Sequence, residues 1–170
     1  KTTDYGQNWQ RIDNGIPLDA WARVVREDPE RPGLLYAGTE LGMYVSFDAG
    51  GSWQSLQLNL PLTPITDLRV QAGDLVAATQ GRAFWVLDAL SPLRHDIEAS
   101  ETNGNHLFTP STAYRVSQGL GGPRVTSTQG QNKQPGVAID YVVGTSSDNA
   151  TLKLEILDVG GSVTRTFITD

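Results

Sequence analysis

The chain has 170 residues, of which 38% are hydrophobic and 19% charged, a balance typical of a folded chain and not of a disordered one. Its formal net charge is -6 and its 13 basic residues are scattered, which argues against nucleic acid or an anionic membrane as a partner. The chain lacks cysteine, which excludes disulfides, thiolate metal sites and a thiol nucleophile. No apolar run approaches the roughly 18 residues of a membrane-spanning helix.

The sequence begins with Lys1, and its one methionine is Met43. These two observations favour a piece of a longer protein, from which the presence of a secretory signal cannot be judged. Turn-forming residues are abundant, with 18 Gly and 9 Pro, and helical stretches rich in Ala, Leu and Glu are missing. The composition therefore favours an all-β chain.

Short runs rich in β-branched and aromatic residues, separated by turn signals, predict seven strands in the first half of the chain. These strands are 22–26, 34–39, 42–47, 53–56, 65–70, 74–79 and 82–87. Because the loops between them are short, we expect meandering antiparallel hairpins.

The second half changes character. Residues 95–135 are polar and Gly-rich, which predicts a linker or long loop containing one short strand at 113–116. Strands return at 137–143, 151–157 and 162–168, and the alternation in TLKLEIL is that of a half-buried strand. Both histidines, His95 and His106, lie in or beside the linker, and we interpret them as surface residues without a metal motif.

An internal repeat organises residues 1–94. The stretch 35–48 (LYAGTELGMYVSFD) aligns without a gap on 75–88 (LVAATQGRAFWVLD), an offset of 40 residues. A shorter pattern, Ser/Thr-x-Asp-x-Gly-x-x-Trp, occurs at 2–9 and again at 46–53. A period of 40–45 residues with several short strands per unit is typical of β-propeller blades.

The shorter pattern is identified as the Asp-box, or BNR repeat, found in sialidases, xyloglucanase-type hydrolases and sortilin-type propellers. Residues 1–94 resemble the sortilin-like, "BNR-repeat glycosyl hydrolase" proteins of bacteria, on the phrases YAGTELGMYVSFDAGGSWQSL and LVAATQGRAFWVLDALSPLR. The phrases AIDYVVG and LKLEILDVGGSVTRTF resemble the first strands of Ig-like modules that follow such propellers. The resemblance implies an extracytoplasmic or secreted protein.

We therefore predict an all-β chain in three parts. Residues 1–94 hold about two C-terminal blades of an Asp-box β-propeller, 95–135 a linker or long loop, and 136–170 the start of an incomplete Ig-like antiparallel β-sandwich. The third repeat unit loses its box after Asp88 and gains no fourth strand, so we interpret it as the last blade. The remaining blades of the same propeller, outside this sequence, are its expected partners.

We expect each Asp-box to be a structural turn and not a catalytic or calcium-binding site, because turn chemistry explains its residues. The Asp accepts hydrogen bonds from backbone amides, the Gly permits a positive φ, and the Trp buries a ring against the blade. These structural residues are Asp4, Gly6, Trp9, Ser46, Asp48, Gly50 and Trp53.

Candidate binding residues lie on the opposite face of the predicted blades. In a propeller, the loops that precede strand one and that join strands two and three share one face, on which ligands usually bind. The most capable side chains on these loops are Asp19, Trp21, Glu40 and Arg82. An aromatic ring beside a carboxylate suits stacking on a sugar and hydrogen bonding to it. The alternative interpretation is a set of solvated loop residues, with Trp21 packed between blades.

Three functional hypotheses stay open. The first is a non-catalytic scaffold of an exported sortilin-like propeller protein that binds a protein or a glycan. The alternative is part of a glycoside hydrolase, xyloglucanase-like or of another BNR-repeat type, with most catalytic carboxylates on blades outside this sequence. The third is a structural module without a ligand. The sequence assigns no catalytic residue, no metal site and no cofactor, and we lean towards no enzymatic activity for this segment.

Overall fold

The structure, a computed structural model, describes residues 1–95, 104–110, 112–113, 136–144 and 151–169. These residues form eleven short strands and one helical turn, and the strands pair in antiparallel fashion. The all-β prediction is confirmed at this level. No helix in the described part of the chain is long and apolar enough to cross a membrane.

The first four strands form a meander that we call sheet I. Its strands are β1 (Ala22–Glu27), β2 (Leu35–Thr39), β3 (Gly42–Ser46) and β4 (Gln54–Ser55), in the spatial order of the sequence. A two-residue hairpin joins β2 to β3, where Thr39 Oγ1 donates to the carbonyl of Gly42 at 3.0 Å and accepts from the amide of Leu41 at 3.1 Å. The hydroxyl of Thr39 therefore satisfies turn groups that the ladder leaves unpaired.

The next three strands form sheet II. They are β5 (Ile65–Gln71), β6 (Asp74–Thr79) and β7 (Phe84–Leu87), again in sequence order. All seven strands predicted in 1–94 are thus present, with ends that differ by at most two residues. The gapless alignment of the repeat is wrong in β7, because Leu35 pairs with Ser46 whereas Leu75 pairs with Leu87. The difference arises in the turn before β7, because Thr39 pairs with Gly42 whereas the amide of Thr79 donates to the carbonyl of Ala83, one residue further on, and Ala83 adopts a positive φ of 62°.

One face of sheet I packs on one face of sheet II to form the core. Strand pairing puts Val24, Tyr36, Met43 and Val45 on the contacting face of sheet I. Sheet II contributes Leu68, Leu75 and Ala77, with Trp85 and Leu87 packed against them. Fully burying one such aliphatic or aromatic side chain contributes about 1.5–3 kcal/mol, so this contact is the main source of stability for residues 22–90.

Sheet I lies very close to sheet II at Gly38. A Cβ atom built there would lie 2.6 Å from Cγ2 of Ile65 and 2.8 Å from Cγ1 of Val24. Real Cβ atoms do not approach other carbons so closely, so glycine is required by the spacing of the sheets. The separation of the two sheets therefore depends on this one missing methyl group.

A helical turn, α1 (Ser91–Arg94), follows β7 in place of a fourth strand. Leu90 just before it is 1% exposed and joins the core, against which Leu93 also packs. The amide of Leu90 donates to the carbonyl of Gly73, as the amide of Ala49 donates to that of Gly33. The third repeat unit thus keeps this backbone hydrogen bond of the second unit, and Leu90 and Leu93 supply its buried side chains after β7.

The remaining described strands form two separate pairs. Strand β8 (His106–Leu107) pairs with β9 (Tyr141–Val142), and β10 (Leu152–Leu157) pairs with β11 (Val163–Thr169). Strands β10 and β11 match two predictions to within one residue, β9 is shorter than predicted, and β8 lies inside the segment that we interpreted as a linker. Of the predicted strand at 113–116, residues 114–116 lie outside the described part of the chain.

The interpretation of His106 as a surface residue is wrong. Its ring is partly buried and meets the ring of Phe108 edge-on, with centroids 4.6 Å apart. His95, which is exposed, lies 5.4 Å from the same ring. Phe108 is 3% exposed, and a buried aromatic ring of this kind draws its neighbours into an apolar cluster.

Gly38→Ala tests the sheet spacing. The added methyl group overpacks the contact with Ile65, so we expect a loss of about 1–3 kcal/mol in the free energy of unfolding, measured by urea denaturation. The Ile65→Ala background removes Cγ2 of Ile65, the nearest atom, and leaves Cβ of residue 65 and Cγ1 of Val24 at 2.8 Å, so part of the overlap is relieved and the two costs are expected to be non-additive by about 1 kcal/mol or more. Simple additivity would mean that Ile65 does not set the spacing.

Candidate functional site

The antiparallel order divides the loops of sheets I and II between two edges. The segments 14–21, 40–41, 59–64 and 80–83 lie at one edge, which we call the Trp21 edge. The segments 28–34, 47–53, 72–73 and 88–94 lie at the other, which we call the Asp48 edge. The Trp21 edge carries the predicted binding residues, and the Asp48 edge carries one of the two Ser/Thr-x-Asp-x-Gly-x-x-Trp turns.

At the Asp48 edge, the carboxylate of Asp48 organises the turn that joins β3 to β4. Asp48 Oδ1 accepts from Ser46 Oγ at 2.8 Å and from the amide of Ser52 at 2.9 Å, and Oδ2 accepts from Ser52 Oγ at 2.7 Å. Ser46 Oγ in turn accepts from the amide of Gly50 at 2.9 Å. These bonds are all local, so they occupy the carboxylate in holding its own turn.

The turn at 2–9 repeats this network bond for bond. Asp4 Oδ1 accepts from Thr2 Oγ1 at 2.8 Å and from the amide of Asn8 at 2.9 Å, and Oδ2 accepts from Asn8 Nδ2 at 2.6 Å. Lys1 and Gln10 exchange backbone hydrogen bonds of 2.7 and 2.8 Å. They occupy the positions of Val45 and Gln54, which pair between β3 and β4. The repeat therefore extends from the sequence pattern to the hydrogen bonds.

Hydrogen bonding lowers the pKa of both turn carboxyls. The amide and side chain of Ser52, with the hydroxyl of Ser46, lower the pKa of Asp48 from 3.8 to about 2. The amide and side chain of Asn8 and the hydroxyl of Thr2 lower the pKa of Asp4 to about 2 in the same way. Each donor favours the charged form of the carboxyl, so both groups are acceptors at any pH near neutrality.

The two tryptophans of these turns differ, which corrects one expectation. Trp53 is 5% exposed, and its Nε1 donates to the carbonyl of Ile12 at 2.6 Å. Trp9 was expected to be buried as well, but it is 75% exposed and its Nε1 donates to Gly6 within its own turn. The exposure of the two rings differs because segment 12–14 covers Trp53, whereas no described segment covers Trp9.

At the Trp21 edge, the structure brings two of the four predicted binding residues together. The amide of Glu40 donates to the carbonyl of Trp21 at 3.0 Å, which ties the β2–β3 hairpin to the start of β1. Glu40 Oε1 accepts from Arg23 Nε at 2.7 Å and lies 2.6 Å from Arg23 Nη2. The indole of Trp21 is 72% exposed. An exposed aromatic residue is thus tied through its backbone to the residue whose carboxylate pairs with Arg23.

The other two predicted residues stand apart from this group. Within the described ranges, the side chains of Asp19 and Arg82 make no hydrogen bond or ion pair, and both residues are exposed. The backbone of Arg82 is fixed, since its amide donates to Thr79 Oγ1 at 3.1 Å and its carbonyl accepts from Trp85 Nε1 at 2.9 Å. Arg23 was missed by the sequence reasoning, and it lies where the register of β1 shifts between Ala22 and Val24, so simple alternation along the strand does not mark it.

Sequence reasoning also missed a buried charged cluster at the Asp48 edge. The side chain of Asp28 is fully buried, and its carboxylate accepts from Arg94 Nε at 3.0 Å, from the Tyr36 hydroxyl at 3.1 Å and from the amides of Glu30 and Arg31 at 2.9 and 3.1 Å. Arg31 Nη1 donates to the carbonyl of Leu93 at 2.7 Å. Each segment thus donates a side chain to the other: Arg94 of α1 bonds Asp28, and Arg31 of the loop after β1 bonds Leu93.

Burial and hydrogen bonding act against each other in this cluster. Burial raises the pKa of Asp28, whereas the hydrogen bonds from the Glu30 amide, Arg94 and Tyr36 lower it. The lowering is the larger effect, so the pKa of Asp28 lies below its usual range. Burial and the adjacent Asp28 carboxylate raise the pKa of Tyr36. The partners Asp28 and Arg94 are 66 residues apart, which is why no local pattern marks them.

The described residues offer little enclosed space. A cavity of about 40 Å³ lies between residues 56–60 and the facing side of sheet II, and a groove of about 310 Å³ lies between β10 and the β8–β9 pair. The described ranges contain no group of three or more His, Asp or Glu side chains placed to hold a metal ion. No family model matches the chain, and no curated protein matches it either.

Asp48→Asn tests the role of the turn carboxylate through pH. The pKa of Asp48 is lower in the folded state, so its stabilising effect is complete above about pH 4 and is lost as the pH falls towards 2. The urea midpoint of the variant should therefore fall less steeply than that of the parent between pH 4 and 2. Asp19→Asn, at an exposed carboxyl without a partner in the described ranges, should keep the parent profile. An unchanged slope in Asp48→Asn would contradict the role assigned to the turn.

Arg94→Met tests the buried cluster. It leaves the Asp28 carboxylate buried without its cation, so we expect a loss of about 3–5 kcal/mol in the free energy of unfolding at pH 7. The control is Arg11→Met, because the pair of Arg11 with Asp13 is exposed, at 73% and 44%, and should cost no more than about 1 kcal/mol. Equal costs for the two variants in urea denaturation would refute the cluster as a stabilising contact.

Proposed function

We propose that residues 1–94 are part of an Asp-box β-propeller in which sheets I and II are consecutive blades. Three observations support this. The two meanders share a 40-residue repeat, they pack face to face in the same order as they occur in the chain, and the turns at 2–9 and 46–53 have the same hydrogen bonds. We extend the proposal to an Ig-like module that begins with the described strands after residue 136.

We further propose that the Trp21 edge binds a carbohydrate without catalysing a reaction on it. The observation that carries this proposal is the Trp21 indole, 72% exposed on a residue whose carbonyl accepts from the amide of Glu40, the partner of Arg23. An indole face stacks on the C–H face of a sugar ring, and a fixed carboxylate–guanidinium pair offers acceptors and donors to its hydroxyl groups. Exposing a large indole to water is unfavourable, and a ligand that covers the ring would remove this cost.

The arrangement of Glu40 supports a binding role over hydrolysis. Glycoside hydrolases use two carboxyl groups that flank the scissile bond, and one of them must donate a proton. Arg23 Nη2 lies 2.6 Å from Glu40 Oε1, and Arg23 Nε donates to the same oxygen at 2.7 Å, so this carboxylate is held in an ion pair within the chain. The proposal that the protein is exported rests on the family resemblance alone.

Trp21→Ala tests the binding proposal against Trp9→Ala as a matched control. The two indoles are equally exposed, at 72% and 75%, but Trp9 belongs to the turn at 2–9 and not to the Trp21 edge. On an array of neutral oligosaccharides, we expect Trp21→Ala to weaken binding at least about tenfold, because stacking is worth on the order of 1 kcal/mol or more, and Trp9→Ala to leave it unchanged.

Glu40→Gln forms the second arm of this experiment. It keeps the shape of the side chain but removes the charge that holds Arg23, so we expect weaker binding with the fold intact. Loss of binding in Trp9→Ala, or retention in both variants of the Trp21 edge, would refute this location of the site. Binding to none of the oligosaccharides by the parent chain would refute the carbohydrate itself.

A further inference from the structure

The chain contains two histidines, and the structure brings their rings together. His95 directly follows α1 and His106 lies on β8, yet their ring centroids are 5.6 Å apart, with the ring planes tilted by 49°. Both rings also contact the ring of Phe108, at centroid distances of 5.4 and 4.6 Å. Packing on Phe108 accounts for the carbon atoms of the two rings, but each ring also carries nitrogen atoms that require a partner.

One of these nitrogen atoms is buried without a partner. Nε2 of His106 is inaccessible to solvent and makes no hydrogen bond within the described residues. Unpaired polar atoms inside proteins are rare, because each one loses its hydrogen bonds to water and gains nothing in return. The ring of Phe108 is at most a weak acceptor for this nitrogen. The buried Nε2 therefore points to a ligand and not to packing alone.

Backbone contacts hold both histidines in place. His106 pairs with Val142 in the ladder of β8 and β9. The carbonyl of His95 accepts from Arg31 Nη1 at 3.4 Å. A binding site gains affinity when its ligands are positioned before the ligand arrives, because less conformational entropy is lost on binding. The two imidazoles are positioned in this sense, although they come from separate segments of the chain.

The separation of the two rings fits two imidazoles on one metal ion. A zinc–imidazole bond is about 2.0–2.1 Å long and the ring centre lies about 1.1 Å behind the nitrogen, so two imidazoles at a tetrahedral angle have centroids about 5.1 Å apart. The observed separation of 5.6 Å is close to this value. Because χ2 of histidine is broad, each ring can turn a nitrogen towards a shared ion with little change in the separation.

The charged residues near the two rings balance each other. Two arginines adjoin His95, since Arg94 precedes it in the sequence and Arg31 bonds its carbonyl. Arg94 pairs with Asp28 at 3.0 Å and with Glu30 at 2.8 Å, so two carboxylates offset the two guanidinium groups. His95 is itself exposed, which gives a cation a route from solvent to the buried nitrogen.

We infer that His95 and His106 bind one divalent transition-metal ion of the Zn²⁺, Ni²⁺ and Cu²⁺ group, with water in its remaining coordination positions. Imidazole nitrogen is a preferred ligand of these ions, whereas Mg²⁺ and Ca²⁺ prefer oxygen ligands. The chain lacks cysteine, so these two residues are its only imidazole or thiolate ligands. The bound ion joins the end of α1 to β8. The Trp21 edge takes no part in this site, so the inference stands or fails separately from carbohydrate binding.

Titration calorimetry of the full chain with Zn²⁺ and Ni²⁺ at neutral pH tests this inference. The parent should bind one ion per chain. His95→Ala removes an exposed ring, so it should unfold at the parent temperature without metal but bind the ion at least about tenfold more weakly, because one of two protein ligands is lost. His95→Cys supplies a thiolate in its place and should restore Zn²⁺ binding. The control is Asp19→Asn, an exposed carboxyl at the Trp21 edge, which should bind like the parent.

The decisive measurement is the electron paramagnetic resonance spectrum of the chain loaded with Cu²⁺. Its nitrogen superhyperfine splitting counts the imidazoles on the ion, so the parent should show two coupled nitrogens and His95→Ala one. A single coupled nitrogen in the parent, or equal metal affinity in the parent and His95→Ala, would overturn the inference. So would a parent chain that takes up none of the three ions, and the two rings would then be an aromatic cluster on Phe108 only.

Discussion

The contact of Gly38 with Ile65 limits how closely sheets I and II approach, and the core between the two sheets depends on that close approach. At this spacing Tyr36 and Val45 reach Leu75 and Ala77, and the core excludes water. The same spacing brings the loop after β1 alongside α1, so that Asp28 meets Arg94. A wider gap would leave that carboxylate solvated and would separate it from its cation, so the buried charge depends on the apolar contact and not the reverse.

The two edges of the stacked sheets divide the chemical roles of the chain. At the Asp48 edge, polar side chains are already hydrogen-bonded within their own turns or within the Asp28 cluster. They therefore have little capacity left to form hydrogen bonds with a ligand. At the Trp21 edge, the backbone tie between Trp21 and Glu40 fixes two loops, and the side chains stay accessible. Residues that hold the fold and residues that can meet a ligand are therefore separated by the length of the strands.

The strands of sheets I and II were predictable because their alternation and their turn signals are local, and the Asp48 turn was predictable because the partners of Asp48 lie within four residues of it. The register of β7, the helical turn α1 and the pairing of Arg94 with Asp28 were not, since each depends on contacts between distant parts of the chain. For the site, Trp21 and Glu40 could be placed at one edge from topology alone. Arg23 could not be placed because its partner, Glu40, belongs to the hairpin that packs beside β1. The exposure of Trp9 could not be predicted because it depends on whether another segment of the chain covers the ring.

The separation in sequence of the contacts has a consequence for the order of folding. The Asp48 turn closes between residues four positions apart, so its loop-closure entropy is small and it can form within a single hairpin. The Arg94–Asp28 contact spans 66 residues and requires both sheets to be in place, so it belongs to the last steps. Until it forms, the loop after β1 and the segment that follows β7 move independently. The described segment 91–95 is therefore fixed only once both sheets have folded.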